Sequence, residues 1–216
     1  MPYQAPLTEG GLLPGEMERP PLPAVRRARP AEIVAAGRQL LETEGRDALT
    51  MRRVASALGI RAPSLYKHFP DKAALESAMI EDALVDIGEA SHAAIRSTSS
   101  DGALERLLAV YRAYSLAHPH LYRLATAGPL ARETMAPGLE EWAGNPWYVV
   151  TGDPNLAQAV WSFAHGMVVL ELDGRYPGGS DLDETWKAGA RAFEGPAAAG
   201  RARFRANNRH RALTPR

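Results

Sequence analysis

The side chains best suited to chemistry with an outside partner are crowded into Ser64, Tyr66, Lys67 and His68. A hydroxyl, a phenol, an ammonium and an imidazole this close together supply hydrogen bonds to phosphate oxygens and base edges, rather than a nucleophile with its base. Leu65 and Phe69 are four positions apart and give a helix here an inward side, which leaves the four polar tips outside. Pro63 is tolerated only in a first helical turn, so it marks where that helix starts. Upstream, Met51, Val54, Ala55 and Leu58 fall at i, i+3, i+4 and i+7, one apolar face of a two-turn helix. Thr50 stands where an N-cap hydroxyl belongs, and Gly59 can take the left-handed conformation that closes the helix, with Ile60 packing back over it. Two short helices joined by a glycine-containing turn, the second carrying exposed donors, form the helix-turn-helix plan for entering a major groove.

Other constellations are weaker. His118 and His120 straddle a proline with no carboxylate pair to complete a tetrahedral metal set. Gly178-Gly179-Ser180 lacks the lysine of a phosphate loop, and no Ser/His/Asp grouping sits in a recognised frame. The sequence therefore points to no enzyme, no metal and no cofactor. A set of larger rings and polarisable groups, Tyr111, Tyr114, Tyr122, Trp142, Trp147, Trp161, His165 and Met167, could line an apolar pocket for a small molecule, or could simply fill a core.

The run from Ile33 to Met79 resembles the DNA-binding domain of the TetR family of transcriptional regulators. The carrying residues are Leu49-Thr50-Met51-Arg52-Arg53-Val54-Ala55, Leu58-Gly59-Ile60, Ser64-Leu65-Tyr66-Lys67-His68-Phe69 and Asp71-Lys72-Ala73-Ala74-Leu75. The resemblance implies an all-α chain: a three-helix helix-turn-helix domain over 31–76, then a larger helical ligand-binding and dimerisation domain over 77–195. It also implies that Thr50, Arg52, Arg53, Arg61, Ala62, Pro63, Ser64, Tyr66, Lys67, His68 and Lys72 lie on DNA. Among these, Thr50 and Arg52 suit a phosphate at a helix start, or Arg52 reaches guanine O6 and N7. Tyr66, His68 and Lys72 match backbone contacts, and Ser64 and Lys67 face base edges. Ala62 stands where members often carry a polar base-reading side chain, and neither Arg61 nor Ala62 is the Ser or Thr that often caps this helix. Trp161-Ser162-Phe163-Ala164-His165-Gly166 resembles a Trp-His-Gly signature of one subgroup.

Net charge is zero over 216 residues, which by itself argues against a general polyanion binder. The distribution is uneven: 24–70 carry a net +5, the segment 201–216 holds six Arg and no acid, and the remainder sums to −11. A basic head on an acidic body suits a DNA binder with a second, non-binding domain. There is no cysteine, no run of 18 apolar residues and no signal-peptide order, so a soluble cytoplasmic protein is expected.

In chain order, 1–30 with seven Pro reads as a disordered arm in which Arg26, Arg27 and Arg29 could touch DNA. Helices are expected at about 31–44, 51–58, 62–69, 71–95 and 103–117, with a short one after His118-Pro119. Another short helix is expected around 130–135 and one from Leu139 to Trp142. Residues 144–153 read as loop, because Asn145-Pro146 and Gly152-Asp153-Pro154 are turn signals. A helix apolar all round follows from Pro154 to about Gly174, then a last one over 181–194. Gly195-Pro196 should end it and leave a disordered basic tail over 196–216.

The resemblance implies that the last two helices pair with their symmetry mates through Val160, Val168, Leu172, Leu182, Trp186 and Phe193. The functional expectation is a homodimeric repressor of a palindromic double-stranded operator, released by a small-molecule effector. A small-molecule carrier or interaction protein on the same scaffold is the alternative, and steep salt dependence of binding would separate the two.

Overall fold

A computed structural model of the chain describes residues 17–20, 28–96 and 102–212, the side chains of 205 and 207–212 excepted. The expectations for most of the arm, Arg26 and Arg27 among them, lie outside these residues, but Ala28, Arg29 and Pro30, expected in a disordered arm, are helical, with Arg29 paired to Glu32 at 2.7 Å. The described residues hold nine α-helices and no strand: α1 (Ala28–Glu44), α2 (Met51–Ala57), α3 (Ala62–Tyr66), α4 (Lys72–Arg96), α5 (Ala103–Ala117), α6 (Pro119–Thr126), α7 (Leu139–Thr151), α8 (Pro154–Leu172) and α9 (Leu182–Ala212). Short 3-10 turns occupy Arg46–Ala48 and Arg132–Thr134. None of the described helices is long and apolar enough to cross a membrane.

The helices fall into two compact units, one of 19–86 with 117–140 and the other built around 87–116 and 141–212. In the first, Ile33, Leu41, Leu49, Val54, Leu65, Leu75 and Met79 are fully buried, and Leu121 and Leu124 of α6 complete the same core. Polar ties reinforce it. Arg38 of α1 forks to Asp82 and Asp86 of α4 at 3.0 and 2.7 Å. The Glu42 carboxylate accepts from the free backbone N–H groups of His120 and Leu121 at the start of α6, at 3.2 and 2.8 Å, where helical N–H groups lack partners and a negative charge is favoured.

The second unit departs from the sequence expectation twice. Residues 144–151 are helix, not loop, since α7 runs through Asn145-Pro146 to Thr151. Pro146 has no N–H to give the carbonyl four residues back, that of Trp142. His92 of α4 takes its place: Nε2 lies 2.9 Å from Trp142 O, with the imidazole only 3% exposed. The carbonyl can only accept, so a neutral His92 carries its proton on Nε2. The two rings stack with centroids 4.9 Å apart. One turn earlier on α4, Gly88 admits the indole where a Cβ would stand 2.4 Å from it. The missing helical bond is thus replaced from another helix, and the break that Pro146 signals does not occur.

The last helix likewise passes Gly195-Pro196 and continues to Ala212 instead of ending at 194 in a disordered tail. Tertiary contacts hold the extension. Ala197 is fully buried, Gly200 packs on the Thr151 carbonyl where a Cβ would come within 2.1 Å, and Arg201 reaches Val150 O at 2.7 Å. Smaller differences are α3, which ends at Tyr66 rather than 69, and the 130–135 helix, which is a single 3-10 turn.

Candidate nucleic-acid interface and effector site

The helix-turn-helix is built as its residues dictate. Thr50 Oγ1 accepts from Arg53 N at 3.3 Å and caps α2. At its other end Gly59 adopts φ +64°, with Ile60 N bonded to Ala55 O and Gly59 N to Ser56 O, both at 3.0 Å. That pair of hydrogen bonds closes the helix with a left-handed glycine. Pro63 lies in the first turn of α3, and Arg61 precedes it without a side-chain cap. Asp71 Oδ1 accepts from Ala74 N at 2.8 Å and starts α4.

This framework sorts the side chains of residues 61–69. Leu65 and Phe69 are buried at 0% and 4% exposure, and Arg61, Pro63, Ser64, Tyr66, Lys67 and His68 are exposed, Tyr66 at 49%. Ala62 is half-buried against the core. Thr50, Arg52 and Arg53 are exposed on the preceding helix start. Two of the expected cations carry counter-charges. Arg53 Nη2 donates to both oxygens of Glu44, at 2.6 and 2.7 Å. Lys72 Nζ lies 3.6 Å from Glu76 and donates to Arg46 O at 3.5 Å. Arg46, which the sequence did not single out, meets the same Glu76 at 3.4 Å. Its partners stand 26 and 30 positions along the chain, beyond any local spacing signal. Exposed cations, a phenol and a hydroxyl on one helix pair are groups that neutralise phosphates and read base edges.

The candidate effector residues do not all come together. Tyr122 belongs to the first unit, where it is buried. In the second, Tyr111 meets Trp147 edge-on at 5.3 Å, and Trp142 is clamped by Gly88 and His92. Met167 is buried and its sulfur accepts from Tyr176 Oη at 2.8 Å, and Tyr114 of α5 is half-buried. Trp161 instead stands 43% exposed on α8, stacked on His165 one turn on at 5.7 Å. Burial lowers the His165 pKa. Burial also lowers that of His92, helped by nearby Arg96 and opposed by its bond to Trp142 O. His92 and Asn145 are buried polar residues of this unit that sequence reading did not single out, since His92 stands in no motif and Asn145 was read only as part of a turn signal.

Several residues expected between protomers are occupied within one. Val160 and Val168 are fully buried and Trp186 is 5% exposed. Trp186 packs edge-on against Phe163 at 6.0 Å and donates to Glu171 at 3.1 Å, and Phe193 packs on the same Phe163 at 5.6 Å. Arg112 binds Glu171 at 2.7 Å and also Asp183, a pairing that raises the Arg112 pKa and lowers that of Asp183. Leu172 and Leu182 are half-buried. The outward side of α8 carries Ala159, Ser162, Gly166 and Val169, with Trp161 and Leu170 at its margins, as the helical period requires. The inward turn of Val160 and Val168 has a simple cause: an all-round apolar helix buries one face within its own unit, where α9 packs against it.

Comparison with known proteins bears on both units. Residues 33–79 match the family of bacterial regulatory proteins, tetR family, and 104–193 match the tetracyclin repressor-like C-terminal domain, a match that does not single out the Trp-His-Gly subgroup. An uncharacterized HTH-type transcriptional regulator of Mycobacterium tuberculosis is 30% identical over 68% of this chain and 74% of its own length. The HTH-type transcriptional repressor DrrR1 of Streptomyces coeruleorubidus is 28% identical over 59% of this chain and 47% of its length. Among solved structures, a possible TetR family transcriptional regulator from Streptomyces coelicolor A3(2) superposes with a TM-score of 0.52 at 25% identity, covering 85% of this chain and 99% of that one.

Proposed function

The chain belongs to the TetR family of transcriptional regulators, and on that premise we propose that it is a homodimeric repressor whose two helix-turn-helix heads bind a palindromic operator until an effector releases them. The observation that carries the reading is the division of residues 64–69: Leu65 and Phe69 sealed in the core, with Ser64, Tyr66, Lys67 and His68 presented outward. Arg52 and Lys67 approach bases or phosphates. Tyr66, His68, Thr50 and Lys72 hold the backbone, joined by Arg46 beside Lys72. Two heads bridging half-sites ~34–36 Å apart supply the contact area that one lacks. The pairing surface is the outward side of α8 together with α9. Acting on operator DNA places the protein in the cytoplasm, in a regulatory rather than a catalytic role.

Effector binding among the helices of the second unit favours a spacing of the heads that no longer fits the operator. A gel shift with the DNA upstream of the protein's own coding region tests the first half. Arg52→Ala should weaken binding by about 1–3 kcal/mol if it reads a guanine, and Tyr66→Phe by about 0.5–1.5 kcal/mol for one hydrogen bond, with the dimer intact by sedimentation. Unchanged affinity in both variants refutes the assignment. The second half is tested by calorimetric titration of an effector with and without operator, where equal affinities exclude coupling.

A further inference from the structure

Asn145 is 7% exposed, and its Oδ1 is buried without a hydrogen-bond partner among the described residues. Buried amide oxygens are nearly always paired, so this one asks for a donor from outside the chain. The local backbone supplies none. Pro146 has no N–H, and the amides of the α7 interior are committed to the helix itself. Three other buried polar side chains of this unit are engaged: Thr151 turns its hydroxyl to Trp147 O, Ser115 to Tyr111 O, and His92 to Trp142 O. What surrounds Asn145 along the helix is apolar and aromatic, with Trp142, Ala143, Pro146 and Trp147 all buried.

No carboxylate, ammonium or guanidinium of this unit is buried among the described residues, and two of its arginines are engaged in part-buried hydrogen bonds: Arg96 donates to His92 O at 3.1 Å and Arg201 to Val150 O at 2.7 Å. The buried polar side chains are uncharged residues or the neutral His92, and Arg112 is already forked between Glu171 and Asp183. A ligand carboxylate or phosphate would therefore be desolvated without compensation. We propose that Asn145 Oδ1 is the polar anchor of the effector site and that the effector is a neutral, largely apolar, ring-bearing molecule with one hydroxyl or N–H donor. This deepens the effector half of the proposed function and rests on it. Trp142 and Trp147, close to Asn145 along α7, supply apolar contact for the ring, and the amide selects the donor, because a partner lacking one leaves Oδ1 as orphaned as before.

Three probes of one shape test it on the full-length protein: 2-naphthol, its methyl ether and 2-naphthoate, followed by quenching of tryptophan fluorescence and by calorimetry. 2-Naphthol is expected to bind at least tenfold more tightly than the ether, and naphthoate most weakly. Asn145→Leu, of similar volume and without the acceptor, should bring naphthol and ether to equal affinity while the melting temperature holds or rises. Asn145→Ala gives the same comparison if leucine is not accommodated. The proposal is overturned if naphthoate binds best, if the naphthol advantage survives in both variants, or if no probe binds the wild type and the amide holds only a water. Operator release is read separately by gel shift. Selective naphthol binding that leaves the operator complex untouched supports the anchor and overturns the release mechanism instead.

Discussion

Replacing His92 by leucine tests whether α7 survives its proline because another helix satisfies the orphaned carbonyl. The variant keeps side-chain volume but removes the donor 2.9 Å from Trp142 O. Leaving that buried carbonyl unpaired costs about 1–3 kcal/mol. Losing the ring stack at 4.9 Å adds about 0.5–1.5 kcal/mol. The expected destabilisation is therefore roughly 2–4 kcal/mol. Pro146→Ala supplies the missing N–H four residues along, so in that background the carbonyl no longer depends on His92. There His92→Leu should cost only the stack, about 1 kcal/mol. Pro146→Ala alone should be neutral or mildly stabilising, since the carbonyl has two lone pairs. The assay is urea denaturation of the four proteins of the cycle at one protomer concentration, because dimerisation makes stability concentration-dependent. A coupling of about 1–2 kcal/mol between the two positions supports the account. Additivity within about 0.5 kcal/mol refutes it, and α7 would then owe its continuity to something other than His92.

Gly200→Ala places a Cβ within 2.1 Å of the Thr151 carbonyl, so it should destabilise the protein by about 1–3 kcal/mol and expose the end of α9 to limited proteolysis. A silent substitution would show that 195–204 does not pack as described. Glu44→Gln removes the counter-charge that holds Arg53, which should tighten DNA binding at low salt and steepen the salt dependence by about one phosphate contact. The log–log slope of affinity against salt is the check. Burial holds the folded pKa of His92 and His165 below 6.5. Above 6.5 both states are neutral and nothing is lost; as pH falls past 6.5 the unfolded chain takes up protons first, so stability declines until the lower folded values are reached. Thermal melts between pH 7.5 and 5 should show this loss, and His92→Gln should make it shallower without abolishing it, His165 remaining.

The parts of the fold that could be read along the chain are those whose causes are local. Thr50, Gly59, Pro63 and Asp71 act on backbone groups within a few positions, so α2, the turn, α3 and the start of α4 were legible, as was the inward pair Leu65 and Phe69. The ends of α5 also followed from local signals. At the proposed DNA face the exposed tips were legible, but the pairing of Arg53 with Glu44 and the approach of Arg46 to Lys72 were not, because the partners come from different elements.

Local rules failed where a distant group answers them. Asn145-Pro146 and Gly195-Pro196 are stop signals by composition, and composition alone determined that a helical hydrogen bond is missing at each. Only the tertiary structure decided that the Trp142 carbonyl finds His92, 50 positions earlier, and that Gly200 can settle on Thr151 O. The same holds for α8: its apolar residues say that it is covered on several sides, but which face turns inward depends on where α5 and α9 pack. A proline removes one donor whatever the fold, whereas the donor that replaces it exists only once two helices have been brought together.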